Sequence, residues 1–255
     1  MQVKDNTIDK SIPLCPVCGL PTMGLVLGSL HHRPCACVMK HYAEQEALRE
    51  EQARQKYIQQ LRHNAFDSAY NVMSKITFAS LVQSPQLEIV QAYSNNIRDI
   101  LPTGAGLIFS GPYGYGKSTA CIALANALID QSISVRYIGT NNYINSIASH
   151  TFDRDAYLSS LVDCSVLILD DIDIIRKTST SIMYLHELIS LRYQAKKILI
   201  TATQLTPQQL QRETDHDMRQ VYNIILNNSV ICFDHNYIND VRSQNAVHMQ
   251  KLLHL

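Results

Sequence analysis

The stretch that decides the fold is GLIFSGPYGYGKST, residues 106–119. Gly106 to Ser110 is a short apolar run of strand composition,. Gly111, Pro112, Tyr113, Gly114, Tyr115, Gly116, Lys117 and Ser118 then follow in the spacing G-x-x-x-x-G-K-S, and Thr119 leads into an apolar helical segment ending near Gln131,. Strand, glycine loop and helix in that order make a phosphate cradle. The glycines let the chain turn tightly, so that backbone N–H groups converge on an anion. The helix N-terminus adds partial positive charge. Lys117 can reach the β- and γ-phosphates of ATP, and the Ser118 hydroxyl can bind Mg²⁺.

Downstream, Val166 to Leu169 is a continuous apolar run ending in Asp170 and Asp171. Such a run suits a strand buried on both faces. A P-loop needs a carboxylate at the carboxyl end of a neighbouring strand to hold the Mg²⁺ shell, and Asp170 fits. Asp171 is then placed to orient or deprotonate the attacking water. The competing reading is that both acids cap the following helix. A further strand, Lys197 to Thr203, ends in polar groups, with Gln204 and Thr203 as candidates to contact the γ-phosphate or the water, and Thr201 behind them. Arg219 and Arg242 lie where P-loop ATPases of this kind carry charge-sensing arginines, although each also suits a solvated surface.

Around these motifs, helices are expected over 87–101, 142–149, 155–161, 180–194, 215–226 and 237–254, with a short one opening at Pro207,. Strands are expected over 134–138 and 230–233. Alternation of this kind argues for a parallel α/β sheet with helices on both faces. The pattern assigns 66–255 to the ATPase core, 41–65 to a linker helix rich in Glu, Gln, Arg and Ala, and 1–40 to a small N-terminal module,. The linker reads as a solvated connector or, alternatively, as a partner-binding helix.

That module contains Cys15-Pro16-Val17-Cys18-Gly19 and Cys35-Ala36-Cys37. Four thiolates make a tetrahedral Zn²⁺ site and fix a segment too small for its own core. His31, His32 or His41 is an alternative for one ligand. Four thiolates leave no open position, so a structural and not a catalytic zinc is expected. Cys121, Cys164 and Cys232 sit in apolar stretches as small core residues.

Of 255 residues, 46% are hydrophobic and 17% charged; Lys plus Arg and Asp plus Glu both number 22, for zero formal net charge. That composition excludes a disordered chain and argues against a strongly basic duplex-DNA wrapper. No apolar run approaches a membrane span, and no secretory signal precedes the cysteines, so a cytoplasmic protein without disulfides is expected.

Taken in order, the two cysteine pairs, the charged helix, Ile76-Thr77-Phe78, the Gly111–Ser118 loop, the acid pair and Asn228–Phe233 resemble the DnaC-type replicative helicase loaders of the AAA+ ATPases. The resemblance runs from about residue 13 to 243. It implies binding of a DnaB-type hexameric helicase through the N-terminal module, oligomerisation on it, and use of ATP and single-stranded DNA to place it on a melted origin. It also implies a DNA-facing segment at Thr140–Asn145, with Arg136 and Arg154 nearby, where Tyr143 suits either stacking on a base or packing at a helix start. The chain departs from the family pattern in Asp171, where Glu is usual, in Gln204, where Asn is usual, and in having Arg219 as the only arginine near the expected trans-acting position. Those departures imply slow hydrolysis. The rivals are an IstB-type transposition helper, which zero net charge and the zinc module disfavour, and a non-hydrolysing adaptor that keeps ATP as a structural ligand.

Overall fold

A computed structural model describes residues 13–27, 29–33, 35–66, 75–81, 83–112, 114–149 and 153–232. The chain divides into two compact units, the first up to Lys56 and the second from Tyr57 onward. The first contains an antiparallel hairpin of β1 (Met23–Val26) and β2 (Ser29–His32), in register Met23 with His32, and most of helix α1 (Ala36–Ala65). Helix α1 therefore begins inside the stretch expected to belong to the N-terminal module, not at 41.

The second unit is built on five parallel strands: β3 (Gly106–Ser110), β4 (Val135–Gly139), β5 (Val166–Asp170), β6 (Ile198–Thr203) and β7 (Ser229–Cys232). Their order across the sheet is β4-β5-β6-β3-β7. The acid-pair strand β5 is thus separated from the P-loop strand β3 by β6. Central β3, β5 and β6 are buried along their whole lengths, which is why their sequences are continuously apolar instead of alternating. Alternate residues feed two cores. Leu107, Phe109, Tyr137, Ile168 and Ile200 pack on one face against α4 (Lys117–Asp130) and α2 (Pro85–Asn95). Ile108, Ile138, Leu167, Leu169 and Leu199 pack on the other. There they meet α5 (Thr140–Ala148), α6 (Arg154–Asp163), α7 (Ser179–Gln194), α8 (Pro207–Gln211) and α9 (His216–Asn227).

The helix expected over 87–101 is two helices, α2 and α3 (Ile97–Ile100), separated at Asn96. The Ser84 side chain caps α2 by accepting the Leu87 N–H,. The last turns of α1 belong to the ATPase unit, not to a free linker. Ile58 and Ala65 are buried in its core, and Arg62 donates to Asn126 at 2.9 Å and pairs with Asp130 at 2.5 Å on α4. Arg192, read from sequence as one residue of an ordinary helix, is fully buried. Its guanidinium donates to the carbonyls of Leu161, Val162, Cys164 and Ile198. It places a cation against the C-terminal carbonyls of α6, of which that of Leu161 also accepts the Cys164 thiol at 3.3 Å,.

Because all five strands run the same way, the segments following β3, β5 and β6 emerge at one edge of the sheet. The registers Ser110–Thr203 and Gly139–Asp170 bring the strand ends level. Ligands of open α/β sheets bind at this carboxyl edge. The expected helix 237–254 and Phe233 lie outside the described residues, and no helix among the described residues is long and apolar enough to cross a membrane.

Candidate nucleotide site and cysteine cluster

The loop after β3 turns through Gly114 and Gly116 at φ +82° and +76°, a backbone conformation that glycine adopts without steric cost. Helix α4 starts directly at Lys117, and Gly116 offers no side-chain cap. The N–H groups of the first helical turn therefore lack intrahelical acceptors and face the loop as an anion-binding end. Lys117 is only 6% exposed, and its Nζ donates to the carbonyls of Gly111 (2.7 Å) and Pro112 (2.9 Å). Ser118 and Thr119 are half-buried behind it. The Gly111 N–H donates to the Thr203 carbonyl at 3.2 Å, which ties the loop to β6. Beside the loop, Leu81, Ser84 and Leu87 face Gly114, Tyr115, Gly116 and Thr119 across a cleft of about 460 Å³. Tyr113 lies outside the described residues.

Asp170 ends β5 at 3% exposure. Its Oδ1 accepts the Asp171 N–H at 3.0 Å, its Oδ2 accepts the Tyr137 hydroxyl, and its carbonyl accepts the Thr140 hydroxyl at 2.8 Å. Asp171 follows with φ +54°, the left-handed region in which Asp and Asn are far commoner than longer side chains. Burial raises its carboxyl pKa, the Asp170 and Asp173 carboxylates raise it further, and Lys117 opposes them. A carboxylate so placed is a better proton acceptor than one in water. Asp173 accepts the Gln204 N–H at 3.1 Å, so the turn after β5 is fastened to the end of β6. Of the polar groups there, Thr201 and Thr203 are buried, and the Thr203 hydroxyl accepts the Leu205 N–H at 3.0 Å. Gln204 is half-buried and lines an open concavity of about 890 Å³ with Asn141, Asn145, Asp173 and Arg176. Arg219 is exposed on α9; Arg242 lies outside the described residues.

In the first unit, the sulfurs of Cys15, Cys18, Cys35 and Cys37 all lie within 4.8 Å of one another. Cys37 is 3.4 Å from Cys15, 3.4 Å from Cys18 and 2.8 Å from Cys35. The first pair is held by a tight turn in which Gly19 N–H donates to the Cys15 carbonyl at 2.9 Å and Cys15 N–H to the Leu20 carbonyl at 2.8 Å. The N–H groups of Cys18 and then Val17 point at the Cys15 sulfur, and with help from the Cys35 thiol they lower its pKa to about 6. Cys35 immediately precedes α1 and Cys37 lies in its first turn. That helical start explains the C-x-C spacing. Four convergent thiol donors, no carboxylate among them, form a set that can hold zinc. His31 and His32 are exposed, and the exposed His41 is hydrogen-bonded to Gln45 at 3.0 Å, so no histidine is needed as a ligand.

The family of IstB-like ATP-binding proteins matches residues 35–221, from the second cysteine pair through the loop, the acid pair and Arg219. The chain belongs to this family. ATP binding follows from that membership. An insertion-sequence ATP-binding protein of Sinorhizobium fredii (strain NBRC 101917 / NGR234) is 33% identical over 106 residues, which are 41% of this chain and 36% of that relative's length. Among solved structures, the DnaC helicase loader superposes with a TM-score of 0.52 at 20% identity, over 62% of this chain and 95% of that one. DnaI superposes with a TM-score of 0.56 at 14% identity, over 66% and 95%. These are likenesses of fold alone. Cys15 and Cys18 precede the stretch that the IstB-like family matches.

The structure decides between the two sequence readings of Tyr143 in this IstB-like chain. Tyr143 is fully buried, its hydroxyl donates to the Tyr184 carbonyl at 2.9 Å, and its ring stacks on Tyr157 at 6.4 Å. It is not available to stack on a base. In α5 it lies on the core-facing side with Thr140 and Ile147. Arg154 pairs with Glu187 and Asp155 and lies 5.5 Å over the Tyr184 ring.

Proposed function

We propose that this protein is an ATP-driven helper that places a DnaB-type replicative helicase on single-stranded DNA. The observation that carries the reading is a carboxyl-edge nucleotide site together with a four-thiol unit, on a core whose fold superposes over 95% of the solved DnaC helicase loader chain. In that role Ser118 and Asp170 would hold Mg²⁺, which would supply positive charge to offset that of the phosphates. Backbone N–H groups of Gly114 to Ser118 and the Lys117 ammonium bind the phosphates. Asp171 takes the proton of the attacking water as the new P–O bond forms and the bond to ADP breaks. Gln204 contacts the γ-phosphate or that water, and the exposed Arg219 is the candidate charge sensor between subunits.

A transposition helper is the second reading, favoured by the insertion-sequence relative and the family match. The two differ in partner and in DNA form. The thiol unit is proposed to hold one Zn²⁺ and to dock the helicase. Purified wild type should carry about one zinc per chain by elemental analysis and should capture a DnaB-type helicase. Replacing Cys15 and Cys18 by Ser should abolish both, because a structural zinc is commonly the folding energy of so small a unit. ATP binding should survive. Zinc-free wild-type protein would remove the metal assignment, and capture of a transposase in place of the helicase would favour the second reading.

A further inference from the structure

Tyr137 is a fully buried tyrosine in the middle of β4, opposite Ile168 in the sheet. Its chain pairs with Phe66, the residue following α1, in a parallel bridge, and the two rings lie 5.9 Å apart at 40°. Its hydroxyl reaches along the sheet face to Oδ2 of Asp170 on the neighbouring strand. Nothing in the P-loop or the acid pair requires a phenol there, since a phenylalanine would fill the same apolar space. The other oxygen of Asp170 already accepts the Asp171 N–H. With one donor on each oxygen, turning the carboxylate about its last bond would break a hydrogen bond. Each oxygen keeps one lone pair, since a carboxylate accepts at about four sites.

We propose that Tyr137 is a positioning residue for Mg²⁺: it holds Asp170 in the one orientation that presents a lone pair to the metal shell. Phe66 holds the ring in place. The inference rests on the nucleotide-site reading above. It follows the general rule that a metal-facing carboxylate is oriented by the donors behind it, and that removing such a donor costs about 10–100-fold in metal affinity or activity.

The test is Tyr137→Phe in the full chain, which keeps the ring and its contact with Phe66 and removes only the hydroxyl. A fluorescent ATP analogue is titrated in EDTA and across a Mg²⁺ series. Affinity in EDTA should stay within about 2-fold of wild type, while the Mg²⁺ concentration at half-maximal tight binding should rise about 10-fold or more. In an Asp170→Asn background, Tyr137→Phe should no longer shift the Mg²⁺ midpoint, a non-additivity that a purely structural tyrosine would not show. A Tyr137→Phe protein with the wild-type Mg²⁺ midpoint overturns the positioning role and leaves the nucleotide site intact. A wild type whose nucleotide affinity ignores Mg²⁺ overturns the site reading and this inference together. Should Tyr137→Phe melt early, Phe66→Leu provides a second comparison: it keeps the hydroxyl, and its Mg²⁺ midpoint should move less than that of Tyr137→Phe. A midpoint moved as far by Phe66→Leu would assign the effect to packing and overturn the role of the hydroxyl.

Discussion

Lys117→Ala is expected to weaken ATP binding by about 100-fold or more, because a desolvated ammonium on phosphate is worth about 1.5–3 kcal/mol per charge-assisted bond and about 1.4 kcal/mol is tenfold in affinity. The structure explains why the loss falls on binding. The Lys117 ammonium is held at the mouth of the loop by the Gly111 and Pro112 carbonyls. ATP would replace those carbonyl acceptors with phosphate oxygens. Alanine suits the first turn of α4 as well as lysine does, so the fold should persist. Calorimetric titration measures the effect. An affinity within about 3-fold of wild type, under half a tenfold step, would show that the loop does not bind the nucleotide.

Asp171→Asn should leave ATP binding nearly intact and lower turnover by about 100-fold or more, the usual cost of losing a general base. Asn is nearly isosteric and, like Asp, tolerates the left-handed backbone seen at Asp171 (φ +54°),. Misfolding is therefore a weak confounder. The burial and neighbouring carboxylates that raise the pKa of this group are what suit it to accept a proton. Single-turnover hydrolysis of labelled ATP measures the effect. Hydrolysis at the wild-type rate would reduce Asp171 to a turn residue that merely closes β5.

The parts of this protein that sequence reveals are those encoded locally. Gly111 to Ser118 fixes strand, loop and helix within a dozen residues, and the apolar runs ending at Asp170 and Thr203 announce buried parallel strands. The cysteine spacings bring together four sulfurs that the structure places within 4.8 Å. What sequence concealed depends on which face a residue meets in three dimensions. Arg192 has surface-compatible chemistry yet is buried against the carbonyls of α6, and Tyr143, for which the sequence left stacking and packing open, is buried beside Tyr157. The hairpin of β1 and β2 pairs Gly24 with His31 and Met23 with His32, a composition without apolar alternation. The bond from Tyr137 to Asp170 joins residues that only strand order makes neighbours. The preference for Asp over Glu at position 171 has a backbone reason that no motif carries. Asp is enriched in the left-handed region because its short polar side chain can hydrogen-bond locally, which Glu does less readily.

The most direct test of the loader reading is ATP turnover by the full-length protein, measured alone, with a DnaB-type hexameric helicase and single-stranded DNA, and with a transposase and duplex DNA. The site holds its acids in place but Arg219 is exposed and distant in sequence from the loop, so turnover by the protein alone should be slow and completed by assembly. A stimulation of about 10-fold, equivalent to about 1.4 kcal/mol of barrier, is expected with helicase and single-stranded DNA together, and none with transposase and duplex DNA. Turnover that ignores the helicase and rises with the transposase and duplex would contradict the loader account.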